Sequence, residues 1–246
     1  MTMRSLSLVL CAATALSAGD NPNRNFTTVF SGCREYVAFG PISAAKAHAA
    51  LPAGFTPVPF GSDAALALRA SSCDGVSVAG SPFRPGIVAH YGINIVSPDA
   101  TGDINNYTLY YATNIETLAD QLKKTGLPVI YNPSLAVEDP ATRPGNVYIG
   151  IFGDNTQPWS LTGVVTDPVA PIFPFIANWW YQSKTGRLKM STDIPSISFG
   201  ASQLVLHTSK TSPLGNLIGG NTKSDFPFYN VRGQFASGVM TSTTTR

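Results

Sequence analysis

Residues 107–128 read YTLYYATNIETLADQLKKTGLP, and a change of rhythm inside this stretch decides the fold class. Tyr107 to Ala112 is aromatic and rich in strand-forming residues. From Asn114 the period lengthens, and Ile115, Leu118, Ala119 and Leu122 recur on one helical face. Asn114 is the expected cap, and Glu116 suits the positive end of the helix dipole. Gly126 and Pro128 stop the helix, and Val129-Ile-Tyr resumes the strand pattern.

Outward from this stretch the strand signal dominates. It recurs at Glu35 to Phe39, Ala64 to Ala70, Gly75 to Val78 and Gly86 to Val96. It returns at Asn146 to Phe152, Leu161 to Val165, Leu188 to Met190, Ser196 to Phe199 and Gln203 to His207. Ser43 caps a second, alanine-rich helix that ends at Leu51-Pro-Ala-Gly. Residues 19–32 are polar and read as a loose lead-in. Glycine and proline punctuate the chain at hairpin spacing, with no repeat and no linker. The expected fold is mainly β (α+β): one antiparallel barrel-like domain with one or two short helices.

The N-terminus has the three parts of a secretory signal. Arg4 supplies the charge, Leu6 to Leu16 the short apolar run, and Ala15, Ser17 and Ala18 the small residues before cleavage. Residues 1–18 are therefore expected to be a signal peptide and residues 19–246 the secreted domain. A buried N-terminal helix is the alternative. No later stretch approaches the ~20 apolar residues of a membrane helix. Of three cysteines, Cys11 lies in the signal, which leaves Cys33 and Cys73 to pair in an oxidising compartment. Closing that loop is expected to stabilise the fold by about 2–4 kcal/mol. Asn25 and Asn106 head glycosylation sequons, and Asn106 is expected in an exposed turn.

Composition narrows the chemistry. Sixteen basic and fourteen acidic residues are dispersed along the chain, with no basic stripe for nucleic acid. His48, His90 and His207 have no metal-ligand spacing, and nothing implies a cofactor. A small, largely apolar molecule is the expected partner. Nucleophile elbow, phosphate loop and dinucleotide fingerprint are absent, and the glycines of 215–220 read as a turn. Glu138-Asp139 reads as a solvated turn, and Trp179-Trp180-Tyr181 as packing or a substrate wall. Lys123-Lys124 has two readings. Lysines complement the negative end of a helix, and adjacent lysines also depress one another's pKa, which favours a Schiff base with a carbonyl substrate.

Three stretches resemble the acetoacetate decarboxylase-like family, in its order and spacing. Arg34-Glu35-Tyr36 with the following helix and Leu51-Pro52 looks like its opening. Lys123-Lys124-Thr125-Gly126-Leu127-Pro128 is similar to its Lys-Lys-x-Gly-x-Pro segment. Gly200 to Leu206 with Ser212-Pro213-Leu214 looks like its C-terminal strand and loop. The resemblance implies a lyase in which Lys123 forms the Schiff base, Lys124 perturbs it and Arg34 lies in the active site. It implies decarboxylation, or related aldol or dehydration chemistry, on a small carbonyl or oxo-acid compound. Two departures stand against it: Ala64 to Ala70 holds no acid where the family has glutamates, and Leu122 replaces a proline. The alternatives are a non-catalytic binding barrel, or a hydrolase or cyclase that uses the cavity without the lysine.

Overall fold

Strand β1 (Phe26–Ser43) pairs antiparallel with β3 (Asp63–Val78) on one side and β13 (Tyr229–Thr245) on the other. From these three a barrel is built. β3 pairs with β4 (Arg84–Asn94), β4 with β5 (Ile104–Thr113), and β5 runs parallel to β10 (Val169–Ser183). β10 then meets β11 (Gly186–Thr208), and β11 returns to β13, so the path closes on itself. The computed structural model describes residues 25–138, 147–150, 159–220, 223–224 and 229–245. The expected signal peptide and Asp139 lie outside the described residues.

β11 leaves the barrel after Ala201 and continues into a second sheet with β9 (Trp159–Val165). β8 (Val147–Gly150) and β7 (Ala136–Glu138) extend that sheet. Short strands β2 (Pro59–Phe60), β6 (Val129–Tyr131) and β12 (Lys223–Ser224) pair with β3, β5 and β11. The helices are α1 (Ala44–Ala50), α2 (Glu116–Lys124) and α3 (Pro213–Leu217).

This layering explains why β3 is buried along nearly its whole length. One apolar cluster fills the barrel interior and includes Phe30, Cys33, Ala67, Leu188, Ile197 and Phe235. Leu118, Ala119 and Leu122 of α2 belong to it. A second cluster lies outside the barrel wall, where Tyr36, Leu66 and Leu68 meet Leu161, Leu204 and Leu214 of the outer layer. A strand between two apolar layers needs no polar alternation. ALALRA at 65–70 is such a run, with one arginine in it.

Gly32 sets which β1 residues face inward. Phe26, Thr28 and Phe30 are buried before it, and Cys33 and Glu35 after it, so the inward set changes from even to odd numbers. Its backbone is left-handed (φ 59°), and a Cβ there would lie 2.6 Å from Asp74 Oδ2. Only glycine meets both conditions without strain.

The mainly β fold with short helices is as expected, and so is the Cys33–Cys73 disulfide (Cα–Cα 4.1 Å). Ser43 caps α1 by accepting from Lys46 N, and the apolar face of α2 is buried. Other readings are corrected. Most of residues 19–32 that are described belong to β1 rather than a lead-in. The separate strands expected at 64–78, and those at 188–207, are each continuous. β5 pairs in parallel with both β6 and β10, so the barrel is not wholly antiparallel. Asn114 does not cap α2; its Oδ1 accepts from Ile87 N of the neighbouring strand. Asn106 is buried in β5 at 2% exposure, because the strand begins two residues earlier, and the glycan expected there has no access.

Candidate active site

Inside the barrel, β1 and β3 stack in register as Cys33 opposite Cys73, Glu35 opposite Ser71, Val37 opposite Arg69, and Phe39 opposite Ala67. The disulfide thus lies one layer from a buried charge cluster. Glu35 Oε1 accepts from Arg69 Nε at 2.8 Å, from Ser71 Oγ at 3.0 Å, and from Arg69 Nη2. Oε2 has no hydrogen-bond partner among the described residues. Arg69 Nη1 donates to His90 Nε2 at 3.1 Å, which leaves the ring hydrogen on Nδ1, where no described acceptor meets it.

His90 sits in β4 opposite Arg69 and stacks on Trp179 with centroids 3.8 Å apart. Tyr111 meets its edge at 5.0 Å. Burial, and then the Arg69 cation, hold the imidazole pKa well below its ordinary value, so His90 stays neutral. Burial likewise pushes the Tyr111 phenol up. Gly92 makes the stacking possible: a Cβ there would lie 3.0 Å from the Trp179 ring and closer still to the Tyr107 carbonyl.

Above this floor is a cavity of about 240 Å³. Its walls are Val37, Ala67, Ile104, Ala177, Trp179 and Val231, with Asn106 as an uncharged polar group. Phe39 with Tyr229, and Phe175 with Phe199, form aromatic pairs among its lining (centroids 6.3 and 6.1 Å). Asp103 is exposed and lines the cavity, and its Oδ2 accepts from Ile176 N at 2.7 Å. Glu35 and Arg69 are the buried charges in the lining.

The residues carried over from the family motif lie elsewhere. Lys123 and Lys124 are exposed at the last turn of α2, because Leu118, Ala119 and Leu122 take its buried face. The Schiff-base role that the resemblance implies for Lys123 calls for a buried amine near Arg34, and Lys123 is exposed. Arg34 is on the opposite face of β1 from Glu35 and pairs with Asp74 at 2.8 Å at the surface. The geometry brings none of the three into the barrel cavity. Of the Trp179-Trp180-Tyr181 cluster, Trp179 lines the cavity and Trp180 packs in the outer core, as the packing reading expects of it. Among the described residues no cluster could hold a metal ion.

Arg69 and Ser71 were not singled out from the sequence, and Glu35 and His90 were named there without a catalytic role. A signal for them existed. A lone arginine inside an apolar strand must bury its charge and so requires a carboxylate nearby. Glu35 is the acid whose strand phase provides it.

No family model and no curated protein matches the chain. Solved structures do. An acetoacetate decarboxylase from Legionella pneumophila superposes with a TM-score of 0.58 at 9% identity, covering 100% of this chain and 98% of its own. The chain has the acetoacetate decarboxylase-like fold. An acetoacetate decarboxylase-like enzyme from Sphingomonas wittichii RW1 gives a TM-score of 0.56 at 12% identity, with 90% and 93% covered. The enduracididine biosynthesis enzyme MppR, complexed with the condensation product of pyruvate and imidazole 4-carboxaldehyde, gives 0.54 at 12%, with 90% and 88% covered.

Proposed function

We propose that the chain is an enzyme of the lyase kind acting on a small carbonyl compound inside the barrel, with Glu35 and Arg69 in place of a lysine Schiff base. One observation carries this reading. A buried carboxylate with one open oxygen stands beside a buried guanidinium at a mostly apolar cavity, while Lys123 is in solvent. Buried charge in an apolar pocket is the arrangement that proton abstraction next to a carbonyl uses. Arginine has five N–H donors and three are engaged here, so two remain for a carbonyl oxygen.

For a β-hydroxy ketone the step balances without a cofactor. Glu35 Oε2 takes the proton from the carbon next to the carbonyl, and Arg69 stabilises the enolate oxygen. The enolate pair then forms the carbon–carbon double bond as the β carbon–oxygen bond breaks, and Glu35 returns its proton to the departing hydroxide as water. In aldol cleavage Glu35 takes the hydroxyl proton, the bond between the α and β carbons breaks to release the aldehyde, and Glu35 returns the proton to the carbon of the resulting ketone enolate, whose oxygen Arg69 stabilises.

Export through residues 1–18 belongs to the same proposal, and the Cys33–Cys73 disulfide supports it. Asn25 is exposed and is the sequon that a eukaryotic host would glycosylate.

The test is turnover of 4-hydroxy-4-phenylbutan-2-one, followed by the absorbance of the conjugated enone or by release of benzaldehyde. Wild type is expected to turn it over, and Glu35→Gln to lose at least about a hundredfold in kcat. Glu35→Asp should recover part of the rate. Undiminished turnover in a folded Glu35→Gln protein would sink the reading.

A further inference from the structure

We infer that the cavity takes an uncharged, planar carbonyl compound and rejects oxo acids; this rests on the barrel-site reading above and names its substrate class. The first ground is charge. Among the described residues, the charged groups lining the cavity are Glu35, Asp103 and Arg69, a formal sum of −1. Arg69 is the cation, and its Nε and Nη2 both donate to Glu35. A ligand carboxylate would enter this apolar space with its counter-charge already matched, past Asp103. A buried anion without its own cation is strongly disfavoured. A neutral carbonyl oxygen needs only a donor, and Arg69 keeps two.

The second ground is shape. Trp179, Phe175, Phe199, Phe39 and Tyr229 supply ring surfaces to one small cavity. Trp179 is fixed by stacking on His90 and by the absence of a side chain at Gly92. Rings held in this way favour a flat ligand that stacks. The volume of about 240 Å³ exceeds the ~150 Å³ that accepts benzene, leaving room for one ring and a short conjugated arm.

Calorimetric titration at neutral pH with a matched pair of probes tests this. Benzylideneacetone is flat and neutral, and phenylpyruvate carries the same ring with a carboxylate. Wild type is expected to bind benzylideneacetone at least about tenfold more tightly. In Glu35→Gln, phenylpyruvate affinity relative to that of benzylideneacetone should rise at least about tenfold, because Arg69 is released. If that variant does not fold, Asp103→Asn serves. It is exposed, keeps an acceptor for Ile176 N, and should raise phenylpyruvate affinity several-fold. Tighter binding of phenylpyruvate by wild type would overturn this inference and leave the barrel site standing. Saturable binding of neither probe would overturn both.

Discussion

Two places in this molecule hold noteworthy cations, and they are opposites. Lys123 and Lys124 stand side by side in sequence, at the end of a short helix, in solvent. Arg69 stands alone in an apolar strand, 8% exposed, facing Glu35 from the adjacent strand and 34 residues away in the chain. Proximity in sequence made the lysines conspicuous. Burial gives the arginine its chemical weight, since the same charge interacts several times more strongly in a barrel interior than in water.

The largest expected consequence is in stability. Arg69→Met strands the Glu35 carboxylate in the interior and should cost about 3–5 kcal/mol, read by denaturant unfolding. Adding Glu35→Gln to that variant should recover much of the loss, because a double substitution leaves no charge unpaired. Lys123→Met, by contrast, should stay within about 0.5 kcal/mol of wild type. An Arg69 variant as harmless as the lysine variant would erase the distinction between the two regions.

A smaller effect sharpens the comparison through pH. His90 is held neutral in the folded barrel by burial and by Arg69, while in the unfolded chain it takes a proton near 6.5. Its folded pKa is depressed, so this stability is present above about 6.5 and is lost as pH falls below it. The slope approaches about 1.4 kcal/mol per pH unit. His90→Gln keeps an acceptor for Arg69 Nη1 and removes the titration. The drop in Tm between pH 7 and pH 5 should shrink in that variant and persist if His90 plays no part.

How much of this was legible in the sequence follows from what each signal depends on. α1, the apolar face of α2 and the disulfide were readable, because each rests on local periodicity, a local cap or a simple count. β10 was hidden by Pro171 and Pro174, which a strand accommodates at bulges; its pairing with β11 shifts register around both. β13 was hidden because GVMTSTTT offers threonine and serine where strands usually show aliphatic residues, and its partners on both sides supply the core. The site was least legible. Glu35 faces inward only because Gly32 shifts the phase of β1, and Arg69 meets it only through the β1–β3 register. The motif drew attention to Arg34, one residue away and on the wrong face.

Side-by-side kcat values for Glu35→Gln and Lys123→Met on 4-hydroxy-4-phenylbutan-2-one, each checked for an intact fold by thermal melt, test the central claim most directly. With the chemistry in the barrel floor, Glu35→Gln loses at least about a hundredfold and Lys123→Met stays within about twofold of wild type. The reverse order, with a borohydride-trapped substrate adduct mapped to Lys123, would contradict it and return the reaction to the lysine pair.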